Sequence, residues 1–244
     1  MGRFLSTLAL LATLAASGFA AQPSARAIFP LDDLKPGQRG EVWTVFHGTE
    51  PEPFTVEVTG VVRNALGPGK SLILCQLTDP RVQQMGAVAG MSGSPLYIEG
   101  KLAGALSYQI QRFETVRFAG FTPAADLIEV QTKMAAGISA PAQPVAALGA
   151  EGFRPLRPVF TLSGLSPAVA ELFAPRFAAL GLSASSLGGS MTTNETAKAT
   201  TGNAPPTLTP GSAGAVALAT GDSTLAGTGT VSDVDGRSIT AFGH

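Results

Sequence analysis

The sequence predicts an all-β or β-rich protein with many turns. The chain of 244 residues has 29 glycines and 18 prolines, and both residue types favour turns over long helices. The segment Phe54–Val62 alternates apolar and polar side chains, which is typical of a strand with one buried face. Long helical periodicity is scarce, so strands joined by turns explain the composition best.

Charge and cysteine content exclude several classes of function. The net charge is −1 and charged residues make up 14% of the chain, so a broad basic surface for nucleic acid is not expected. Cys75 is the single cysteine, which excludes an internal disulfide. Because it stands in the apolar run Ser71–Leu77, we expect it to be a buried core residue. We expect no cofactor.

Residues 1–27 have the pattern of a secretory signal peptide. Arg3 supplies the positive start, residues 4–16 are apolar, and small residues follow. The apolar stretch is short for a membrane span. We therefore expect export to a periplasm or to the extracellular space. The alternative is an uncleaved segment, which would be the one expected contact with a membrane.

Residues 28–136 are predicted to form a β-barrel domain that carries a serine motif. A helix is expected from Ala124 to about Ala136, with Thr122 as its cap and Pro123 in its first turn. The predicted strands before it are Glu41–Phe46, Phe54–Val62, Ser71–Leu77, Leu96–Ile98, Lys101–Tyr108 and Val116–Phe121.

The rest of the chain divides into two parts. Residues 137–210 are predicted to hold an Ala/Pro/Gly-rich linker through Pro158, a helix interrupted near Pro175, and a Ser/Thr-rich loop over residues 183–210. Residues 211–244 are predicted to begin a second β block, with a hairpin turn at Asp235-Gly236. The sequence stops at Gly243-His244 directly after a strand, which indicates a fragment of a longer protein.

The stretch Gly90-Met91-Ser92-Gly93-Ser94-Pro95 places a serine between two glycines and between two predicted strands. Gly90 and Gly93 allow a sharp turn that can aim backbone N–H groups at a developing oxyanion. Ser92 is therefore a candidate nucleophile. The alternative is a tight turn without chemistry. Pro95 favours a structural role for Ser94.

A serine nucleophile requires a base, and the two histidines His47 and His244 are the candidates. Asp79, thirteen residues before Ser92 in the sequence, is the candidate for the acid that orients the base. Its alternative role is a turn with Pro80. No acidic or cysteine cluster accompanies the histidines, so no metal site is predicted.

Several blocks together resemble the SpoIVB-type serine peptidases. They are Pro53–Val58, Leu77-Thr78-Asp79-Pro80-Arg81, Gly90–Pro95, Gly100–Ala105, and the final block from Gly227 to Gly243-His244. The resemblance implies a mainly β, trypsin-like antiparallel β-barrel with a few short helices. It also implies Ser92 as nucleophile, Asp79 as acid and His244 as base.

The order of the blocks departs from that family, since the Gly-His block precedes the serine block in the sporulation enzymes and follows it here. A permuted barrel is therefore one alternative for the fold. The order His47–Asp79–Ser92 would itself suit a chymotrypsin-like barrel, which makes His47 the rival base.

The leading hypothesis is an exported serine endopeptidase that acts on proteins or peptides. One alternative is a catalytically inactive barrel that binds peptides at its sheet edges. Another is an outer-surface structural protein with the Ser/Thr-rich loop as a spacer.

Overall fold

The computed structural model describes residues 27–110, 117–137, 153–156, 159–164, 166–179, 183–186, 207–221 and 224–243. Strands account for 47% of the structure and helices for 18%, so the predicted mainly β fold is confirmed. The predicted signal peptide lies outside the described residues except for Ala27. His244 and most of the predicted Ser/Thr-rich loop also lie outside them.

Six strands form a closed antiparallel barrel. In sheet order they run β4-β1-β2-β3-β6-β5, and β5 pairs with β4 to close the circle. Every strand in this ring therefore has two hydrogen-bonded neighbours. The strands are β1 (Arg39–Thr44), β2 (Glu52–Val62), β3 (Leu72–Leu77), β4 (Pro95–Ile98), β5 (Lys101–Ile110) and β6 (Phe118–Pro123).

The barrel interior is filled by the apolar face of each strand. In β2, Phe54, Val56 and Val58 are buried while Thr55 is exposed, which confirms the predicted alternation. Cys75 packs in the same core and is fully buried. Tight alternation of this kind fixes the register of each strand, because a slip by one residue would expose the core.

Three α-helices are described: α1 (Pro80–Met85), α2 (Ala124–Ala135) and α3 (Pro167–Ala179). The cap predicted for α2 is wrong, because Pro123 occupies that position without a side-chain cap. The hydroxyl of Thr122 instead lies 2.7 Å from that of Ser107. Helix α3 continues through Pro175. Within the described ranges, no helix combines the length and apolar character needed to span a membrane.

A second sheet follows the barrel in sequence. Its strands are β8 (Val159–Ser163), β9 (Ser183–Ser186), β10 (Ala213–Ala219), β11 (Thr224–Asp235) and β12 (Ser238–Ala241). The order is β10-β11-β8-β9, and β12 pairs with β11 across the predicted hairpin turn.

One part of the segment predicted as a linker belongs to the barrel sheet. The short strand β7 (Phe153–Pro155) pairs antiparallel with β5, and Leu156 after it is buried in the core. Phe153 and Leu156 are separated by Arg154 and Pro155. A strand of three residues is too short to show the alternation from which strands are predicted. The short strand β9 likewise lies in the segment predicted as a Ser/Thr-rich loop.

Candidate functional site

The turn that carries Ser92 connects helix α1 to strand β4. Gly90 and Gly93 have φ angles of +95° and +94°, a region that residues other than glycine rarely occupy. Ser92 and Ser94 are both fully buried. The Ser94 hydroxyl donates to the carbonyl of Met91 at 2.7 Å, which supports the structural role predicted for Ser94.

Strand β11 docks directly onto this turn, although more than 130 residues separate the two in sequence. The Thr230 hydroxyl donates to the Gly90 carbonyl at 3.0 Å, and the Thr230 N–H donates to the Ser92 carbonyl at 2.8 Å. The Ser232 hydroxyl donates to the Gly93 carbonyl at 2.8 Å. Three turn carbonyls therefore accept hydrogen bonds from one strand, which fixes the conformation of the turn.

The contact leaves no room for a side chain at position 93. A Cβ atom on Gly93 would lie 2.1 Å from the Thr230 carbonyl oxygen and 2.5 Å from the Phe242 nitrogen. The Gly93 N–H donates to the Leu106 carbonyl at 2.8 Å. In this conformation Gly93 thus shapes the turn, while its N–H group is already engaged.

The segment after β12 brings the predicted Gly-His block to the serine. The Ser92 hydroxyl donates a short hydrogen bond to the Phe242 carbonyl. Phe242 has a φ angle of +71°, and its ring packs on Gly229, where a Cβ atom would lie 2.3 Å from the ring. Strained backbone of this kind persists only where surrounding contacts hold it, and it is frequent at functional sites.

A second buried serine, Ser107 in β5, contacts the next residue of the same segment. Its hydroxyl lies 2.7 Å from the Gly243 carbonyl, 2.7 Å from the Ala105 carbonyl and 2.7 Å from the Thr122 hydroxyl. A serine has one proton to donate, so the two carbonyls compete for it. Sequence reasoning missed Ser107; the one available signal was a hydroxyl at the end of the apolar run Leu102–Leu106.

Asp79 caps the N-terminus of helix α1. Its carboxylate accepts from the Arg81 backbone N–H at 2.8 Å and pairs with the Arg81 guanidinium at 3.0 Å. Hydrogen bonds from the Arg81 side chain lower the pKa of Asp79 below its usual value, against a smaller opposing effect of burial. Arg81 also pairs with Glu52 and lies over the Phe46 ring. Within the described residues, the hydrogen bonds to the Asp79 carboxylate thus come from Arg81.

The two candidate bases differ in what the structure describes. His47 is exposed in the loop after β1. His244 lies outside the described residues, although its chain neighbour Gly243 is buried and bonded to Ser107. In the described part of the chain, no group of three or more His, Cys, Asp or Glu side chains is arranged to hold a metal ion.

A buried carboxyl group also lies in β11. Asp233 is 6% exposed, and the Gln131 side chain donates to it at 3.2 Å. Burial, with a smaller contribution from the Asp233 charge, raises the pKa of Tyr97 to about 12. Tyr97 therefore remains a neutral hydrogen-bonding group at physiological pH.

The fold and the site together define a closed antiparallel barrel whose serine turn is completed by a distant segment. The family model for SpoIVB peptidase S55 matches residues 21–114, a range that contains Asp79 and Ser92. This match supports the resemblance to the SpoIVB-type peptidases that the sequence motifs predicted. It does not extend to the Gly-His block. No curated protein and no solved structure matches the chain.

Proposed function

We propose that the protein is an exported serine endopeptidase of the SpoIVB type, with Ser92 as its nucleophile. The observation that carries the proposal is the convergence of the serine turn and the Phe242–Gly243 segment, which joins the two sequence blocks that resemble the family. The family match to residues 21–114 supports the same class of protein. Such a peptidase fits a protein or peptide substrate.

In the proposed mechanism the Ser92 hydroxyl attacks the carbonyl carbon of the substrate peptide bond. His244 accepts the hydroxyl proton and later transfers it to the leaving amine. Backbone N–H groups of the Gly90–Ser92 turn hold the oxyanion, for which the Met91 N–H would have to leave the Val88 carbonyl that it now contacts at 3.1 Å. The support for His244 over His47 is its position next to Gly243, which is bonded at the site, whereas His47 lies in an exposed loop.

Asp79 is the proposed orienting acid, and its engagement with Arg81 sets a specific requirement. To orient a histidine, the carboxylate would have to share its acceptor sites between Arg81 and the imidazole. Replacement of Asp79 by Asn should then lower kcat by about 10⁴-fold, as expected when a triad loses its acid. A loss of stability without loss of kcat would assign Asp79 to capping alone.

The deciding experiment is labelling of the full chain with a serine-directed fluorophosphonate. Wild type should be labelled on the peptide that contains Ser92, and Ser92→Ala should not be labelled. Ser94→Ala is the matched control, because Ser94 is equally buried in the same turn and bonds only locally. Labelling that persists in Ser92→Ala would refute the assignment. His244→Ala and His47→Ala, compared in the same assay, identify the base.

The second candidate is a catalytically inactive barrel that binds peptides. The observation that favours it is the state of Ser92, whose hydroxyl is fully buried and donates to a backbone carbonyl. A nucleophile must instead reach the substrate and pass its proton to a base. Folded wild-type protein that binds peptides but takes no fluorophosphonate would establish this alternative.

A further inference from the structure

A cavity of about 260 Å³ lies between the barrel and the segment that follows β12. Its walls come from β5, β6, β7, β12, helix α2, the loop between β2 and β3, and Gly243. Most of its lining is apolar. The apolar lining residues other than glycine and tyrosine are Leu66, Leu127, Val130, Pro155 and Ala241.

The cavity adjoins the chain segment that contacts the candidate nucleophile. Gly243 lines it, and the carbonyl of Gly243 accepts from the Ser107 hydroxyl. Thr122 also lines it and contacts that same hydroxyl. The residue before Gly243 is Phe242, whose carbonyl accepts from Ser92. A residue that lines the cavity therefore follows the hydrogen-bond partner of the candidate nucleophile directly in the chain.

The charges at the cavity are paired with each other. Lys70 Nζ lies 2.7 Å from Asp126 and 2.6 Å from Glu129. The two carboxylates raise the pKa of Lys70, so the amine stays charged. Because Lys70 and Asp126 neutralise one another, the described lining offers no unpaired charge to a charged ligand. Placing a charged side chain there would cost its solvation without a compensating partner.

The size of the cavity suits one apolar side chain. An engineered cavity of about 150 Å³ holds a benzene molecule, and this cavity is larger at about 260 Å³. It therefore has room for a leucine, methionine or phenylalanine side chain. Burial of such a side chain removes its apolar surface from water, which favours substrates that carry it over substrates that do not.

We propose that this cavity, which we call the Val130 pocket, is the specificity pocket of the peptidase. It receives an apolar side chain of leucine to phenylalanine size from a substrate residue beside the bond that is cleaved. This inference rests on the proposed function for the chemistry, but the recognition of an apolar peptide side chain can be tested without cleavage.

The test uses the full chain and internally quenched peptides of the form Ala-Ala-Xaa-Ala-Ala, where Xaa is Leu, Phe, Ala, Lys or Asp. Val130→Trp fills the mouth of the pocket, and Val130 is 53% exposed, so the fold should tolerate the change. The matched control is Val216→Trp in β10, where the valine is 52% exposed and does not line the pocket.

We expect wild type to cleave the Leu and Phe peptides at least about tenfold better than the Lys and Asp peptides, measured as kcat/KM. Val130→Trp should lower kcat/KM for the Leu and Phe peptides at least about tenfold more than it lowers kcat/KM for the Ala peptide. Val216→Trp should match wild type. Equal cleavage of Lys and Leu peptides, or an unchanged Leu-to-Ala ratio in Val130→Trp, would overturn the pocket assignment.

Failure of the proposed function has a different signature, which is no cleavage of any peptide and no label on Ser92. In that case calorimetric binding of the same peptides to wild type decides the pocket. Tighter binding of the Leu and Phe peptides that is lost in Val130→Trp and kept in Val216→Trp would support it. Equal binding of all five peptides would refute it.

Discussion

The Ser107 hydroxyl lies 2.7 Å from the carbonyl oxygen of Gly243 and donates a hydrogen bond to it across 136 residues of chain. Ser107 is fully buried, and Gly243 is buried beside it. A Cβ atom on Gly243 would lie 2.9 Å from the Leu106 carbonyl oxygen. The barrel strand β5 therefore holds the segment after β12 at close range.

Replacement of Ser107 by Ala should loosen this segment. The change leaves the Gly243 carbonyl without its donor and should lower the free energy of unfolding by about 1–3 kcal/mol. Amide hydrogen exchange should accelerate most in residues 238–243. Thr132→Ala is the control, because its hydroxyl bonds within an exposed helix turn and its loss should cost less than about 0.5 kcal/mol. Equal effects of the two variants would contradict the anchoring role.

The two glycines of the serine turn should differ in their tolerance of alanine. Both have positive φ angles, but a Cβ atom on Gly90 would meet nothing within 4 Å, whereas one on Gly93 would clash at 2.1 Å. Gly90→Ala should therefore cost only backbone strain, about 1–2 kcal/mol. Gly93→Ala should cost at least ~2 kcal/mol more, because the carbonyl of Thr230 must move. Urea denaturation of both variants measures the difference.

A Gly93→Ala variant as stable as Gly90→Ala would show that β11 does not hold the turn in solution. A Gly93→Ala barrel that keeps its own hydrogen-exchange protection, with the second sheet detached, would support the docking contact. The two results therefore show whether the barrel stays closed when β11 is no longer docked on the serine turn.

Asp79 should make stability depend on pH in the acidic range. Since the Arg81 guanidinium lowers the pKa of Asp79 in the folded state, the ionised carboxylate stabilises the fold. That contribution is complete above the unfolded-state pKa of about 3.9. It is lost as the pH falls through the lower folded-state pKa. The gap in unfolding free energy between wild type and Asp79→Asn should therefore be constant near neutral pH and should close at strongly acidic pH.

The control for this measurement is Asp32→Asn. Asp32 pairs with Arg63, but its side chain is 82% exposed, and exposed ion pairs contribute about 0–1 kcal/mol. A gap for Asp79→Asn that stays constant to the lowest accessible pH would contradict the stabilising pair with Arg81.

Cys75 should react with thiol reagents only after unfolding. It is fully buried in the barrel core, and burial raises the pKa of its thiol, which suppresses the reactive thiolate. Alkylation by iodoacetamide should be negligible in native protein and should follow the unfolding transition in urea. Rapid alkylation under native conditions would mean that the barrel opens where β3, the strand that carries Cys75, pairs with β2 or β6.

The barrel was largely predictable from the sequence because its signals are local. The alternation in β2 and the Glu99-Gly100 turn of the β4–β5 hairpin identify their elements within a few residues. Strand β7 was not predictable, because three residues that include a proline carry too little pattern. The capping role predicted for Thr122 was wrong because its partner is not local in sequence. The pairing of β5 with β6 places its hydroxyl beside that of Ser107, away from the start of the following helix.

At the candidate site, the sequence singled out Ser92 through its flanking glycines and Asp79 through its position thirteen residues before Ser92. It could not identify Ser107, Thr230 or Ser232, because a hydroxyl in a strand has no local signature. The hydrogen bonds of Thr230 and Ser232 arise only when β11 meets the serine turn. The bond from Ser107 to Gly243 arises only when the segment after β12 meets β5. The sequence alone also could not show that the Arg81 guanidinium forms ion pairs with both Asp79 and Glu52.

The separation of Ser92 from Phe242 by 150 residues has a consequence for the time course of synthesis. A ribosome adds about 5–20 residues per second, so roughly 8–30 s pass between the two residues. All six barrel strands precede residue 124, and we expect the barrel to close first. Hydrogen exchange on ribosome-arrested chains would detect the reverse order, if it occurred. We therefore expect Ser92 to be part of a folded barrel before Phe242, its hydrogen-bond partner, has been synthesised.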